Sequence, residues 1–154
     1  MIRTFSLFLI GFLFSCNPQT LTNKTLAEIE VKLIIQITAD YCGGANPPEQ
    51  LLKNLKTPQQ LRNTEVIIRN SAKDFQEVLK TDAQGEINKS LPAGEYLLFF
   101  PEKINAEPIE KAINKDYCLE WKETPDATFE VSFDQNTFNL QLHRTCNPCE
   151  LPRP

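Results

Sequence analysis

Ile29, Val31, Leu33, Ile35 and Ile37 take every second position of a stretch in which Glu30, Lys32, Gln36 and Thr38 fill most of the places between them. A period of two fits an extended chain with one buried face, because successive side chains of a strand point to opposite sides. Five apolar groups on one strand need a second layer to cover them, which predicts a mainly β domain of packed sheets. The same signal recurs at short intervals. Extended runs are expected at residues 65–70 and 75–81, joined by Ser71-Ala72-Lys73-Asp74, and again at 86–90 and 97–100. Two closing strands follow, one with Phe129, Val131 and Phe133 facing inward and one with Phe138, Leu140 and Leu142. Asp134-Gln135-Asn136 is read as the turn between them. Helical spacing interrupts the strands twice. Residues 49–56 follow Pro47-Pro48 and would bury Leu51, Leu52 and Leu55, and residues 109–122 place Ile109, Ala112, Ile113, Tyr117 and Trp121 at helical intervals.

Turn chemistry narrows the architecture. Thr81-Asp82-Ala83-Gln84-Gly85 is a tight turn in which the Asp side chain can accept from backbone amides and Gly85 can take a left-handed conformation. Leu91-Pro92-Ala93-Gly94-Glu95-Tyr96 turns again before the next buried strand. Carried by Thr81, Asp82, Gly85, Leu91, Pro92, Gly94 and Tyr96, this segment resembles the carboxypeptidase regulatory-like domain of the transthyretin-like, or prealbumin-like, group. The resemblance implies an antiparallel, Greek-key β-sandwich of about seven strands, here with one or two short helical insertions. It implies no peptidase activity, since that module carries none of the zinc ligands of the enzyme it accompanies. Tyr41-Cys42-Gly43-Gly44-Ala45, Pro47-Pro48-Glu49, Cys118 near Trp121 and the paired-cysteine tail are also similar to small exported bacterial proteins, a group that lends no activity to transfer.

The first residues read as an export signal. Arg3 precedes the apolar run of residues 5–14, which is too short for a spanning helix, and Ser15 then Cys16 follow it. Leu13-Phe14-Ser15-Cys16 resembles a lipobox, with Phe14 bulkier than usual at its place. The resemblance implies cleavage before Cys16 and a diacylglycerol on its thiol. Residues 1–15 are then the signal peptide, 16–27 a lipidated terminus and linker, 28–145 the sandwich, and 146–154 a Cys- and Pro-rich tail packed on it. About 139 residues remain after cleavage, enough for one domain. They keep all 20 acidic residues and lose only Arg3 from the basic ones, for a formal charge near −5. That balance excludes nucleic acid as the expected partner and excludes polybasic membrane contact. Attachment through the lipid, facing the periplasm from the outer membrane, is the expected location; Asn17 after Cys16 resembles the sorting pattern for that membrane.

Export also sets the redox conditions. Cys42, Cys118, Cys146 and Cys149 are an even set in an oxidising compartment, which favours disulfides. Four cysteines allow three connectivities. A Cys146–Cys149 bond would constrain little, whereas bonds from the tail to Cys42 and Cys118 would pin two insertions onto the sandwich. The competing readings of Cys146-Asn147-Pro148-Cys149 as a redox or metal pair lack the βαβ setting of the first and the four ligands of the second.

Other chemistry-bearing residues are sparse. His143 is the only histidine, and one imidazole makes neither a triad nor a two-histidine metal site by itself. Glu107, Glu110, Asp116, Glu120 and Glu123 are interleaved with lysines and read as a solvated face rather than a calcium loop. Tyr41, Gly43, Gly44 and Trp121 are the candidate binding surface, with Tyr117 nearby in sequence, although rings beside cysteines also fit a satellite core. The sequence therefore predicts no enzyme, no catalytic residue, no metal and no cofactor beyond the lipid on Cys16. It predicts a structural or protein-interaction module of the envelope, with a small-ligand or glycan-binding lipoprotein as the alternative and a thiol-redox or metal protein behind both.

Overall fold

The computed structural model describes residues 27–72, 74–106, 112 and 114–150, so Cys16 and the leader lie outside the described residues. Among the described residues, eight strands form two four-stranded sheets. In the first, β1 (Glu28–Ala39) is central. It pairs antiparallel with β5 (Glu86–Pro92) along its first half and with the two-residue β2 (Gln59–Gln60) further on. Its other edge pairs in parallel with β8 (Thr137–Arg144), from Lys32 opposite Thr137 to Ala39 opposite Arg144. The second sheet runs β4 (Gln76–Lys80), β3 (Glu65–Asn70), β6 (Gly94–Phe99), β7 (Ala127–Val131), all antiparallel. The β-sandwich is thus as expected, with one strand more and with one parallel pair.

The core follows from the period-two pattern. Ile29, Val31, Leu33 and Ile35 of β1 are buried and face Val66 and Ile68 of β3, Tyr96 and Leu98 of β6 and Val131 of β7 within a single cluster. Near the end where β1 begins, four rings cross the sandwich. Phe75 meets Tyr96 edge-on at 6.2 Å, Tyr96 stacks on Phe129 at 5.5 Å, and Phe129 tilts against Phe138 at 5.1 Å. Tyr96 also donates its hydroxyl to the Pro92 carbonyl at 2.9 Å, which closes the β5–β6 turn. Burial raises the Tyr96 phenol above its ordinary 10.0, with the Asp74 and Glu28 carboxylates adding to the shift.

The Thr81–Glu86 turn shows why those residue types recur. Asp82 Oδ1 accepts from the amides of Gln84 and Glu86, both at 2.8 Å. The Glu86 amide contributes most to holding this carboxyl below its ordinary 3.8. Gly85 sits at φ +79°, and a Cβ there would come within 3.0 Å of the Ile35 carbonyl and 2.9 Å of the Gln60 side-chain amide. Its own carbonyl accepts from the Ile35 amide at 2.9 Å, so the turn is docked directly on β1. Thr81, buried, is a two-way link: Oγ1 accepts from the Thr64 amide at 2.9 Å and donates to the Thr64 carbonyl at 3.2 Å. Thr81→Val keeps the shape and strands the Thr64 amide, and is expected to cost about 1–3 kcal/mol in urea denaturation. A loss below about half a kcal/mol would mean that water reaches that amide.

The helices depart from expectation in detail. In α1 (Glu49–Lys56) none of the residues is fully buried: Leu52 and Leu55 are half-covered and Leu51 is exposed. Its apolar stripe rests against the sandwich without being enclosed by it. After β6 come α2 (Pro101–Asn105) and α3 (Lys115–Glu123), while Ile109 and Ile113 of the expected helix lie outside the described residues. Asn114 caps α3 by accepting from the Tyr117 amide at 3.0 Å. Phe133 is also not the inward strand residue that alternation predicts. β7 ends at Val131, Ser132 pairs with Gln135, and Phe133-Asp134 form a two-residue turn that leaves Phe133 76 % exposed. Period two holds only while the strand lasts. Among the described residues no helix is long and apolar enough to cross a membrane.

Candidate functional site

Chemistry-bearing residues gather at the end of the sandwich away from the start of β1. β1 and β8 both finish there, β6 delivers α2 and α3 to it, and two disulfides close it. Cys42, just past β1, bonds Cys146, just past β8, and Cys118 of α3 bonds Cys149 in the tail. These are the two long-range pairings that fix both insertions through one short tail. Cys146 and Cys149 are bonded to different partners, so no disulfide closes the Cys146-Asn147-Pro148-Cys149 segment on itself. Asn147 shapes it, accepting from the Cys149 amide at 3.0 Å and donating to Glu150 Oε1 at 3.0 Å.

Beneath the tail lies a buried ion pair that the sequence does not reveal. Lys103 Nζ is 2.9 Å from Asp126 Oδ1, and the two side chains are only 7 % and 3 % exposed. Lys103 Nζ also donates to the Thr124 carbonyl at 2.9 Å, and the Phe100 amide donates to Asp126 Oδ2 at 2.7 Å. The ammonium lies 5.5 Å from the centre of the Trp121 ring. Trp121 itself is 7 % exposed and donates its indole N–H to Thr145 Oγ1 at 2.8 Å. Cys118, Trp121, Cys149 and Ala112 form a satellite cluster of their own. Arg144 covers the neighbouring edge, its guanidinium 4.5 Å above the Phe100 ring and Nε 2.8 Å from Glu102 Oε1, a contact of opposite charges rather than an aligned hydrogen bond.

The candidate binding residues are therefore dispersed in role. Trp121 packs inside the cap, and Tyr117, on the outer side of α3, is exposed. Tyr41 is half-buried and folds over Gly43, where any Cβ would collide with its ring. Gly43 thus serves the packing of Tyr41, and Gly44 is exposed beside it. The described acidic residues of α3, Asp116, Glu120 and Glu123, all face solvent; Glu107 and Glu110 lie outside the described residues. Among the described residues no three His, Cys, Asp or Glu side chains are grouped to hold a metal.

His143 has partners that sequence reasoning missed. The parallel register places it opposite Thr38, whose Oγ1 lies 2.9 Å from His143 Nδ1, while His143 Nε2 lies 3.1 Å from Asp40 Oδ1. Hydroxyl, imidazole and carboxylate stand in a row. His143 and Asp40 are each 52 % exposed, so water screens this row and denies it the dry, preorganised setting that nucleophilic catalysis uses. It ties the last turn of β8 to the end of β1. Elsewhere, an open groove of about 520 Å³ on the outer face of the first sheet is lined by Glu30, Lys32, Asn88, Ser90 and Thr137. Its lysine is already paired, Lys32 Nζ lying 2.7 Å from Glu86 Oε2.

No protein family and no curated protein matches the chain. Two solved structures of the shaft pilin SpaA from Lactobacillus rhamnosus GG are similar to it. The N-terminal domain of that pilin aligns over 81 % of this chain and all of its own length, at 12 % identity and a TM-score of 0.32. The larger pilin structure aligns over 76 % of this chain at 12 % identity and a TM-score of 0.31, and the chain spans about half of its length, 49 %. A likeness so distant adds nothing to what the strands themselves establish.

Proposed function

We propose that this chain is a non-catalytic module of the bacterial cell envelope, tethered by a diacylglycerol on Cys16 and facing the periplasm from the outer membrane. The observation that carries the reading is the position of Cys16, directly behind a short apolar run and twelve residues before β1. Two further features support it. Both disulfides engage the tail, an economy that suits an oxidising compartment. The two buried charges at the capped end, Lys103 and Asp126, satisfy one another, in the manner of a scaffold. The partner would be another envelope component recognised by the domain's surface. The test is mass spectrometry of the protein from its native membrane, with fractionation of a Cys16→Ser variant alongside. A diacylglycerol on Cys16 and release of the variant to the soluble fraction are expected. An unmodified thiol at residue 16, or a variant that stays with the membrane, would refute the anchor.

A further inference from the structure

We propose that Phe133 is a second membrane contact, dipping into the surface of a zwitterionic bilayer so that the sandwich stands upright with its disulfide-capped end outward. This inference rests on the lipid anchor proposed above.

Three observations carry it. First, a two-residue turn ordinarily takes small polar residues, and here it presents a phenyl ring that is 76 % exposed. Second, the turn lies at the end of the domain where the tether attaches. β8 runs parallel to β1 with Thr137 opposite Lys32, and the Lys32 amide donates to the Asn136 carbonyl at 2.8 Å. On the other side of the turn Val131 pairs with Gly94, just past Pro92, the partner of Glu28, so Phe133 lies at the end of the sandwich where β1 begins. Third, the reach is short. Eleven residues separate Cys16 from Glu28, and a chain of that length spans at most about 40 Å even when fully extended. The lipid thus tethers the sandwich by its Phe133 end, and a tether with that reach leaves the orientation of the domain to a second contact.

Charge selects the kind of surface. Glu28, Asp74, Glu95, Glu130 and Asp134 are exposed at this end and would be repelled by anionic headgroups. Phosphatidylcholine imposes no such penalty, and an aromatic ring gains from the interfacial region. The capped end, with Tyr117 and Leu119 exposed on α3, would then face away from the membrane.

The test uses the full lipidated protein in phosphatidylcholine vesicles, with and without brominated acyl chains. Phe133→Trp adds an indole at the turn and Leu119→Trp adds one at the opposite end, while the wild type supplies the Trp121 background. Mass spectrometry of the same samples reads the modification of Cys16. The expected result is a diacylglycerol on Cys16, loss of most of the added emission for Phe133→Trp in bromolipid, and none for Leu119→Trp. With the lipid present, an unquenched Phe133→Trp or an equally quenched Leu119→Trp overturns the inference and leaves the anchor standing. If Cys16 carries no lipid, the anchor fails and this inference fails with it.

Discussion

Asp126→Ala is expected to lower the stability of the domain by about 3–5 kcal/mol, because removing one partner of a buried ion pair leaves the other uncompensated. Lys103 would keep only the Thr124 carbonyl and the face of Trp121 as partners, and the Phe100 amide would lose its acceptor. The loss falls at the junction where β6 passes into α2 and where the chain returns from α3 to β7. Lys103→Met should cost a comparable amount, since it strands the carboxylate while preserving the aliphatic stem. Lys103→Met combined with Asp126→Leu should cost much less than the two single changes together, with a residue of about 1–3 kcal/mol for the unsatisfied Phe100 amide. Urea denaturation of the four proteins gives the coupling directly. Strict additivity, or a loss for Asp126→Ala below about 1 kcal/mol, would show that the pair is solvated and that the cap is held by its sulfur bonds alone.

The ion pair also marks where sequence reading stops. Lys103 and Asp126 are 23 positions apart across two helices, with no periodicity to join them. The same holds for His143, whose contacts with Thr38 and Asp40 exist because β8 lies parallel to β1. Parallel pairing of the first and last strands is a long-range choice that local patterns do not encode. What was legible was local or strictly periodic. The burial of β1, the aspartate–glycine chemistry of the Thr81–Glu86 turn and the sandwich class all follow from residues close together in the chain. Phe133 shows the limit from the other side. Alternation through Phe129 and Val131 assigns it to the core, but the pattern has no way to register that the strand has ended at Val131, two residues earlier. Trp121 was legible as either platform or core, and the Thr145 hydroxyl and the Cys149 packing that decide for the core come from residues more than twenty positions away in sequence.

The two disulfides are expected to open in a fixed order and to carry much of the stability of the capped end. Cys42 is exposed, whereas Cys118 is 0 % and Cys149 2 % exposed. A water-soluble reductant under native conditions should therefore reach Cys42–Cys146 first and Cys118–Cys149 only when the cap opens. Differential alkylation and peptide mapping should find labels on Cys42 and Cys146 well before the other two. Thermodynamically the outer bond is the more consequential. It closes a loop across 104 residues, against 31 for the inner one. Loop-closure entropy assigns about 4–5 kcal/mol to the first and about 3–4 to the second. A Cys42→Ala, Cys146→Ala protein should then lose several kcal/mol yet keep its tail on α3 through Cys149. Removing both bonds should release the tail and expose Trp121, seen as a red shift of its emission, since the satellite cluster has Cys118 and Cys149 as half of its members. Simultaneous labelling of all four cysteines under mild reduction would mean instead that the cap opens as one unit, with burial of Cys118 giving no protection of its own.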